Sequence, residues 1–330
     1  MLEVIKFSKE LEERWDQFVL NKTINGTFLQ TRRFLNYHPL ERFIDASILV
    51  MQGTSIVAVI PACEVNDKEG KHFISHKGST FGGIVLAYEK FHVTDMEDLF
   101  PVINEYFDNN GYNSVSLSMT SDIFSKKNQD LFDYYFYKDG WKASNEICSY
   151  IDLNHKGCSF IDNMSASRRR DYRKSLLNGL TFRKLESYDD IKGFYQMLSD
   201  NLKKYNAVPV HTLDELLEFK NYRLKDEISF YGVYLKEELV SGAMIFSFGN
   251  QVFHTQYLAQ NPETLRSKLF PMEYLNCSLI QLAYESGYKF FSFGPSTLNE
   301  GRYLNVTLAS FKEGFGCDFC NKWTYKKVYR

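Results

Sequence analysis

The densest concentration of charge in the sequence is a basic segment at residues 165–179. It predicts a short helix, because Ser165 is a residue type that caps helices and Gly179 is one that ends them. Four cations at four-residue spacings would share one broad face of that helix: Arg169, Arg170, Arg173 and Lys174. Arginine forks and helix N-termini both bind phosphate, so this face predicts a site for an anionic substrate. The alternative is a basic face that contacts only solvent.

A second candidate lies where an apolar segment stops abruptly. Residues 290–293 are three phenylalanines and a serine, and Gly294, Pro295 and Ser296 follow at once. Ligands of α/β sheets bind beyond the carboxyl ends of the strands. We therefore expect Gly294 and Ser296 to lie beside a substrate; the alternative is an ordinary turn after a buried strand.

A third candidate is a lysine between aromatic residues. Residues 308–316 contain two glycines and two phenylalanines around Lys312. This composition predicts an ordered loop in which the ammonium group lies against apolar surface. A surface turn with a solvated lysine would have the same composition.

Other kinds of catalytic site are not indicated. The sequence has no GxSxG, HExxH or Walker motif. His72 and His76 are four apart, but in a strand that spacing is too wide for one small ion, so we expect no metal. The glycine-rich residues 78–83 do not follow the dinucleotide pattern. The chain has 6 cysteines, and its lone CxxC, at residues 317–320, lacks the partners of a zinc site.

These candidates need elements to position them, and the sequence predicts those elements twice. Residues 46–117 predict a β-hairpin, a strand, a helix and another strand, and residues 230–293 predict the same series. Both helices end at a Gly-Tyr pair, which begins at Gly111 and at Gly287. The first helix is predicted to start with a capping box at Thr94. A repeat of this length indicates two copies of one unit, although two unrelated α/β units can share this order.

The expected fold class is therefore α/β with mixed sheets, in two domains at residues 1–155 and 156–330. The boundary falls in the polar, non-periodic residues 152–163. The 330 residues suffice for two ordinary cores, and the net charge of −2 provides no global field for DNA. The N-terminus is charged where a signal peptide needs an apolar core, and no apolar run is long enough to span a membrane. We therefore expect a cytoplasmic protein.

Taken together, the motifs resemble those of a known group. The duplicated unit, the basic helix, the strand ending in Phe-Gly and the Phe-Lys-x-x-Phe-Gly pattern at residues 311–316 resemble Fem-type and related GNAT-superfamily acyltransferases. That group includes peptidoglycan-bridge aminoacyltransferases and FemAB-like N-acyltransferases. The resemblance covers nearly the whole chain. It implies two tandem GNAT-like domains with the acyl-CoA N-acyltransferase fold.

The resemblance also implies roles for particular residues. Phe311 and Lys312 match the pair that lies at the Fem-type active site. Contacts to acceptor phosphates are implied for three cations of the basic helix: Arg170, Arg173 and Lys174. Residues 30–34 match the family's N-terminal Gln-Thr-x-x-aromatic pattern. The lysine that follows this pattern in the family is not matched, and Arg32 or Arg33 would take its place.

The donor site follows from the same resemblance. Residues 261–270, before the helix that starts near Pro271, lack the glycines of a GNAT pyrophosphate loop. Phosphate would instead be bound by three side chains: Arg266, Ser267 and Lys268. Backbone N–H groups of residues 252–259 would polarise the thioester. Tyr257 or Ser296 would handle protons, with Glu273 as a weaker candidate.

The function implied is that of an N-acyltransferase. It would move an acyl group from acyl-CoA, a co-substrate rather than a bound cofactor, to an amine on a phosphate-bearing cell-envelope or polysaccharide precursor. One alternative is a Fem-type peptidyltransferase that uses aminoacyl-tRNA, although an isoelectric point near 6.4 argues against a wide tRNA-binding surface. Another alternative is a non-catalytic protein that binds a glycan or nucleotide-sugar.

Overall fold

The computed structural model describes residues 1–39, 42–154, 160–204 and 206–329, without the side chains of Leu265 and Arg266. They form two compact units. The first unit consists of Met1–Glu146, Asn299–Arg302 and the chain from Asn321 on, and the second consists of Ile147–Leu298 and Tyr303–Cys320.

The elements have the following bounds. The strands are β1 (Leu2–Lys6), β2 (Ile44–Asp45), β3 (Ile48–Gln52), β4 (Ser55–Ile60), β5 (Ala62–Asp67), β6 (Gly70–Ser75), β7 (Val85–Leu86), β8 (Ser114–Ser118), β9 (Lys142–Asp152), β10 (Leu180–Lys184), β11 (Ile228–Leu235), β12 (Glu238–Phe248), β13 (Val252–Gln260), β14 (Phe290–Pro295), β15 (Thr297–Leu298), β16 (Tyr303–Leu304) and β17 (Asp318–Val328). The α-helices are α1 (Glu12–Asn21), α2 (Arg32–Leu35), α3 (Val93–Asn109), α4 (Asp130–Lys138), α5 (Ala166–Ser175), α6 (Tyr188–Lys203), α7 (Leu213–Glu218), α8 (Pro271–Glu285) and α9 (Val306–Glu313). Short 3-10 or π turns lie at Lys9–Leu11, Phe28–Gln30, Tyr88–Lys90, Asp122–Phe124, Phe160–Asn163, Phe219–Arg223 and Pro262–Arg266.

In the first unit the strands follow the order β1-β3-β4-β7 in one sheet and β17-β8-β6-β5-β2 in another series. Strands β6 and β8 are parallel, and α3 is the crossover between them. One face of α3 is buried against this sheet because its apolar residues recur at helical spacing: Met96, Leu99, Phe100, Ile103 and Phe107. The expected pattern of a strand, a helix and a parallel strand is present.

In the second unit the order is β10-β11-β12-β13-β14-β9. Strands β10 to β13 are antiparallel neighbours, and β13 and β14 are parallel, joined by α8. Leu275, Leu279 and Ile280 of α8 pack into a core with Phe253 of β13 and Phe291 of β14. The predicted repeat is confirmed, because each unit holds a hairpin, a strand, a crossover helix and a parallel strand in the same order.

Each parallel pair is extended by a strand from a distant part of the chain. Residues 148–152 of β9, which follows α4 in sequence, pair antiparallel with β14. Residues 324–328 of β17, which follows α9, pair antiparallel with β8. The last strand in each series is therefore not the next one along the chain.

Two local predictions were wrong. Helix α3 begins at Val93 with His92 as its N-cap, and no side chain caps it, so Thr94 is already inside the helix. Residues 308–313 belong to α9 and not to a loop. Asn305 caps α9 through its side chain, which accepts a hydrogen bond from the Leu308 N–H, and the glycines that suggested a loop follow the helix.

Candidate functional site

The parallel strands β13 and β14 separate at their carboxyl ends. In the part of the chain that the structure describes, their register joins Val252–His254 to Phe290–Ser292. Strand β13 then continues to Gln260 and β14 to Pro295. A bulge in β13 opposite Met244 and Ile245 adds to the separation. Backbone groups beyond His254 and Ser292 thus lie where an α/β sheet binds ligands.

The end of β14 is held by the buried Lys312. Its ammonium donates hydrogen bonds to the carbonyl oxygens of Gly294 (3.0 Å) and Pro295 (2.7 Å). The Ser296 N–H donates to the Ile147 carbonyl. Gly294 has a φ of +68°, a conformation that side chains disfavour. Gly294, Ser296 and Lys312, which the sequence predicted as separate candidates, are therefore close together, with the lysine hydrogen-bonded to the end of β14.

Lys312 differs from a surface lysine in its protonation. Its side chain is only 5% exposed, and burial lowers the pKa of the ammonium to about 8. An ammonium has three N–H donors, and the two carbonyls use two of them. Among the described residues no partner takes the third. Lys312 can therefore donate one more hydrogen bond, from a group that is cationic at neutral pH.

His254 is a site residue that the sequence did not reveal. It lies on β13, and its Nδ1 is 3.0 Å from the Ser292 hydroxyl oxygen, which also accepts the Gly294 N–H at 3.2 Å. Either the serine hydroxyl or Nδ1 can be the donor in this bond, depending on the tautomer of the ring. A Cβ at Gly294 would lie 3.0 Å from the imidazole Cε1. Burial and the nearby Lys312 ammonium lower the pKa of His254 to about 4, so the ring is neutral at pH 7. Sequence spacing alone does not pair residues 254 and 294.

Three hydroxyl groups near this turn lack partners. In the described residues, no hydrogen-bond partner exists for the buried hydroxyls of Ser149, Ser296 and Thr297. Ser149 is the β9 residue opposite Gly294, and Ser296 is 2% exposed. Buried polar groups are normally satisfied, so unpartnered hydroxyls indicate where a polar ligand group or water binds. Ser296 was predicted to handle protons, and its hydroxyl is available for that role.

Arg168 connects three of the motifs. Its guanidinium forms an ion pair with Glu273 in the first turn of α8. It also lies 4.5 Å from the ring centre of Phe311 and 5.1 Å from that of Phe315. The aromatic residue of the Phe-Lys pair thus supports a cation of α5, rather than standing beside Lys312 alone. Glu273 was the weaker candidate for handling protons, and its carboxylate is engaged in this ion pair with Arg168.

The end of residues 261–270, the segment predicted to bind the donor's phosphates, lies against the C-terminal end of α5. Asn178 donates to the carbonyls of Lys268 (2.9 Å) and Leu269 (3.2 Å), and the Lys174 ammonium is 5.6 Å from the ring centre of Phe270. Phe270, the N-cap of α8, provides no side-chain cap, so backbone N–H groups of the first turn remain for an anion. A predicted acceptor cation, Lys174, is therefore close to the predicted donor site.

The three predicted phosphate-binding side chains differ in their situation. Lys268 is exposed. The Ser267 hydroxyl donates to the Thr264 carbonyl at 2.7 Å, which shapes the loop. The side chain of Arg266 lies outside the part of the chain that the structure describes.

Tyr257 is held by a histidine. Its hydroxyl is 2.8 Å from Nδ1 of the buried His211, in the segment before α7. Burial raises the pKa of Tyr257 to about 12, so the phenol stays protonated. The pair can pass a proton, since the imidazole nitrogen and the phenol exchange one hydrogen bond. His211 is a second residue that sequence spacing did not indicate.

The predicted N-terminal motif is mainly structural. The Gln30 amide oxygen accepts the Thr27 N–H, and its nitrogen donates to the Gly82 carbonyl and the Thr120 hydroxyl. Arg32 is buried in an ion pair with Asp45. The Arg33 N–H donates to Asp16, and its side chain is partly exposed.

Of the remaining cations of α5, Arg169 is half-buried and the other three are exposed. Arg170 pairs with the adjacent Asp171, while Arg173 and Lys174 face solvent. Ser165 caps this helix, as predicted, by accepting the Arg168 N–H.

Known structures share this fold over their whole length. The crystal structure of FemX has a TM-score of 0.71 at 13% identity, covering 99% of this chain and 97% of FemX. L-PGS from Bacillus licheniformis has a TM-score of 0.61 at 15% identity, covering 98% and 93%. A tandem GNAT protein from the clavulanic acid biosynthesis pathway has a TM-score of 0.56 at 9% identity, covering 99% and 98%. The chain has the tandem GNAT fold. No protein-family model and no curated relative matches the sequence.

Within the tandem GNAT fold, the candidate site described above lies in the second unit. It contains the separated parallel strands, the buried Lys312 and the uncapped start of α8. Over the described residues, no group of three His, Cys, Asp or Glu side chains is arranged to bind a metal. In the same residues, no helix combines the length and the apolar character needed to cross a bilayer.

Proposed function

We propose that this protein is an N-acyltransferase that uses acyl-CoA and acylates an amine on a phosphate-bearing cell-envelope or polysaccharide precursor. The separation of β13 from β14 beyond His254 and Ser292 carries this proposal. Two parallel strands that part at their carboxyl ends leave unpaired backbone N–H groups between them. Such groups can bind an extended acyl donor and polarise its carbonyl.

The donor's phosphates are assigned to the start of α8. Its first-turn N–H groups have no side-chain cap, and the exposed Lys268 and Lys174 lie close by. The helix dipole and two cations together favour a diphosphate. The thioester would then lie along β13, because α8 follows that strand directly.

The transfer step requires one bond to form and one to break. The neutral amine attacks the thioester carbonyl, a C–N bond forms, and the C–S bond breaks as the coenzyme thiol leaves. The third N–H of Lys312 stabilises the developing oxyanion, as a preorganised donor in a buried site can. The amine proton passes to the Tyr257–His211 pair or to the Ser296 hydroxyl and from there to the thiolate.

The acceptor's phosphate is assigned to the exposed face of α5. Arg170 and Arg173 provide planar guanidinium groups that bind phosphate oxygens bidentately. Arg33, in the first unit, stays a separate candidate for binding phosphate. FemX and L-PGS share the fold, and their likeness agrees with an acyl-transfer reaction without specifying the substrate.

Thermal denaturation with coenzyme A tests the donor assignment. Binding to the native state raises the melting temperature, and a ligand at 100 times its dissociation constant adds about 2.7 kcal/mol. We expect coenzyme A to stabilise the wild type, and the Lys174→Ala/Lys268→Ala variant to lose most of that gain. Lys192→Ala, which removes an exposed lysine from α6, is the matched control.

Each other outcome has a definite meaning. Stabilisation that persists fully in the double variant removes the α8 assignment. No stabilisation by coenzyme A or acetyl-CoA, together with aminoacyl transfer from charged tRNA, identifies the aminoacyl-tRNA donor. Failure of both donors, with binding of a nucleotide-sugar, identifies a non-catalytic binding protein.

A further inference from the structure

Two large apolar side chains protrude at the end of the basic helix. Leu176 is 53% exposed and Leu177 is 86% exposed. Their N–H groups bond to the Tyr172 and Lys174 carbonyls, so both leucines lie in an ordered helical turn and not in a free tail. Exposing ordered leucine side chains to water is unfavourable, so exposed leucines of this size indicate a surface that another molecule covers.

The leucines lie among the cations of α5. Leu177 follows Arg173 by four residues and Lys174 by three, the spacings of neighbours on a helix surface. The next residue, Asn178, binds the carbonyl of the exposed Lys268. We call this set the α5 patch: Arg170, Arg173, Lys174, Leu176, Leu177 and Lys268.

The charge of the α5 patch contrasts with that of the chain. The protein carries a net charge of −2, whereas Asp171 is the single acid among residues 165–179, and it is paired with Arg170. Exposed cations beside exposed leucines complement one kind of surface in particular. An anionic bilayer offers phosphates to the cations at its surface and hydrocarbon to the leucines just beneath.

We propose that the α5 patch docks on the surface of an anionic lipid bilayer, with Leu177 inserted and Arg170 and Arg173 against lipid phosphates. This contact is peripheral and needs no membrane-spanning segment. The docking extends the proposed function in one respect, because it places the phosphate-bearing acceptor at a membrane. That extension rests on the proposed function. A soluble polyanion such as tRNA would bind the cations but gain nothing from the leucines.

Vesicle flotation tests the docking without any acyl donor. The full chain is mixed with vesicles of phosphatidylcholine alone or of an equimolar mixture with phosphatidylglycerol. We expect flotation with the anionic vesicles only. Removing two cations in Arg170→Gln/Arg173→Gln should lower the partition coefficient about 25-fold, at about fivefold per cation near such a surface.

The leucine variant separates a bilayer from any other polyanion. Leu176→Ser/Leu177→Ser should lower partition roughly tenfold, as expected when even one leucine side chain is no longer transferred from water. The matched control is Val208→Ser/Val210→Ser, which removes two apolar residues that are 80% and 68% exposed elsewhere in the second unit. Melting temperatures of all variants establish that they are folded.

Two results would overturn the proposal. One is equal flotation with neutral and anionic vesicles, and the other is unchanged flotation of the leucine variant, which would mean that charge alone binds the surface. Binding of tRNA that depends on the cations but not on the leucines, without flotation, would assign the α5 patch to nucleic acid. Stabilisation by coenzyme A is measured separately, so failure of the docking leaves the proposed reaction standing, and the reverse also holds.

Discussion

Both units contain the same pair of parallel strands, but the carboxyl ends of the two pairs differ. In the first unit, β6 stops at Ser75, whose hydroxyl oxygen accepts the N–H groups of Gly83 (3.0 Å) and Ser118 (2.8 Å). The Gly82 N–H donates to the Ser118 carbonyl. In the second unit, β13 runs on past the end of its pairing. Hydrogen bonds within the first unit thus close the gap between its parallel strands. The corresponding gap in the second unit stays open.

The starts of the two crossover helices are alike in one respect and differ in another. Neither α3 nor α8 has a side-chain cap, and each carries an acid in its first turn, Asp95 in α3 and Glu273 in α8, that is paired with a cation. The start of α8 also has two further cations close by, Lys174 and Lys268. The two units therefore share the scaffold, and the difference at this point is the added positive charge beside α8.

The largest effect is expected from Lys312. Lys312→Ala should lower the catalytic constant about 100-fold, the loss seen when one preorganised donor to an oxyanion is removed. The matched control is Lys126→Ala, since Lys126 also donates to a backbone carbonyl, that of Thr23, at 3.0 Å. Turnover is measured with a confirmed donor and acceptor. Equal turnover of Lys312→Ala and the wild type would remove this lysine from the mechanism.

Lys312→Ala should also lower stability. The side chain is buried and donates hydrogen bonds to two carbonyl groups at the end of β14. Chemical denaturation of Lys312→Ala and Lys312→Arg separates the two roles, because arginine keeps the charge and can rescue the fold more than the rate.

The next largest effect is expected at Ser75, which closes the end of the parallel pair in the first unit. Ser75→Ala leaves the Gly83 and Ser118 N–H groups without their partner and should cost about 2 kcal/mol of unfolding free energy, as partly buried donors lose their bonds. Ser292→Ala, in β14, removes the partner of both the Gly294 N–H and His254 Nδ1, so it should cost a similar amount. Denaturant unfolding measures both. An unchanged unfolding free energy for Ser75→Ala would contradict the closure of the first unit by this hydroxyl.

A smaller effect is expected from pH. Because the pKa of Lys312 is lowered to about 8, the ammonium is present below that pH and is lost above it. If the cation stabilises the oxyanion, kcat should fall about tenfold per pH unit above 8. Lys312→Arg stays charged and should lack this alkaline decline. A rate that instead rises through pH 8 in the wild type, relative to Lys312→Arg, would make the neutral amine of Lys312 a base.

The smallest effect concerns glycine. Gly294→Ala and Gly249→Ala both force alanine to a positive φ, which costs about 1 kcal/mol. A Cβ at Gly249 meets nothing within 4 Å, whereas one at Gly294 lies 3.0 Å from His254. Gly294→Ala should therefore be the more destabilising by denaturant unfolding. Equal losses would show that His254 can move away freely.

The fold could be predicted from local patterns in the sequence, whereas the candidate site could be predicted only in part. Hydrophobic periodicity and the Gly-Tyr helix ends were enough to predict the repeat, because those signals are local. Lys312 and Gly294 were singled out separately by composition, and their hydrogen bond spans 18 residues. His254 and His211 were missed because each acquires its partner through strand register and loop packing over 38 and 46 residues. Pairing at that range is decided by the tertiary fold.

The placement of β17 has a consequence for how the protein is made. Strand β8 acquires its neighbour from a segment far along the chain; the hydroxyls of Ser118 and Thr324 that join the two strands are 206 residues apart. At ribosomal rates of about 5 to 20 residues per second, that separation corresponds to roughly 10 to 40 seconds. During this interval β8 is an unprotected sheet edge, the kind of surface on which nascent chains aggregate. The first unit is therefore begun early in synthesis and finished late, so its yield in a cell should depend on chaperones that shield such an edge.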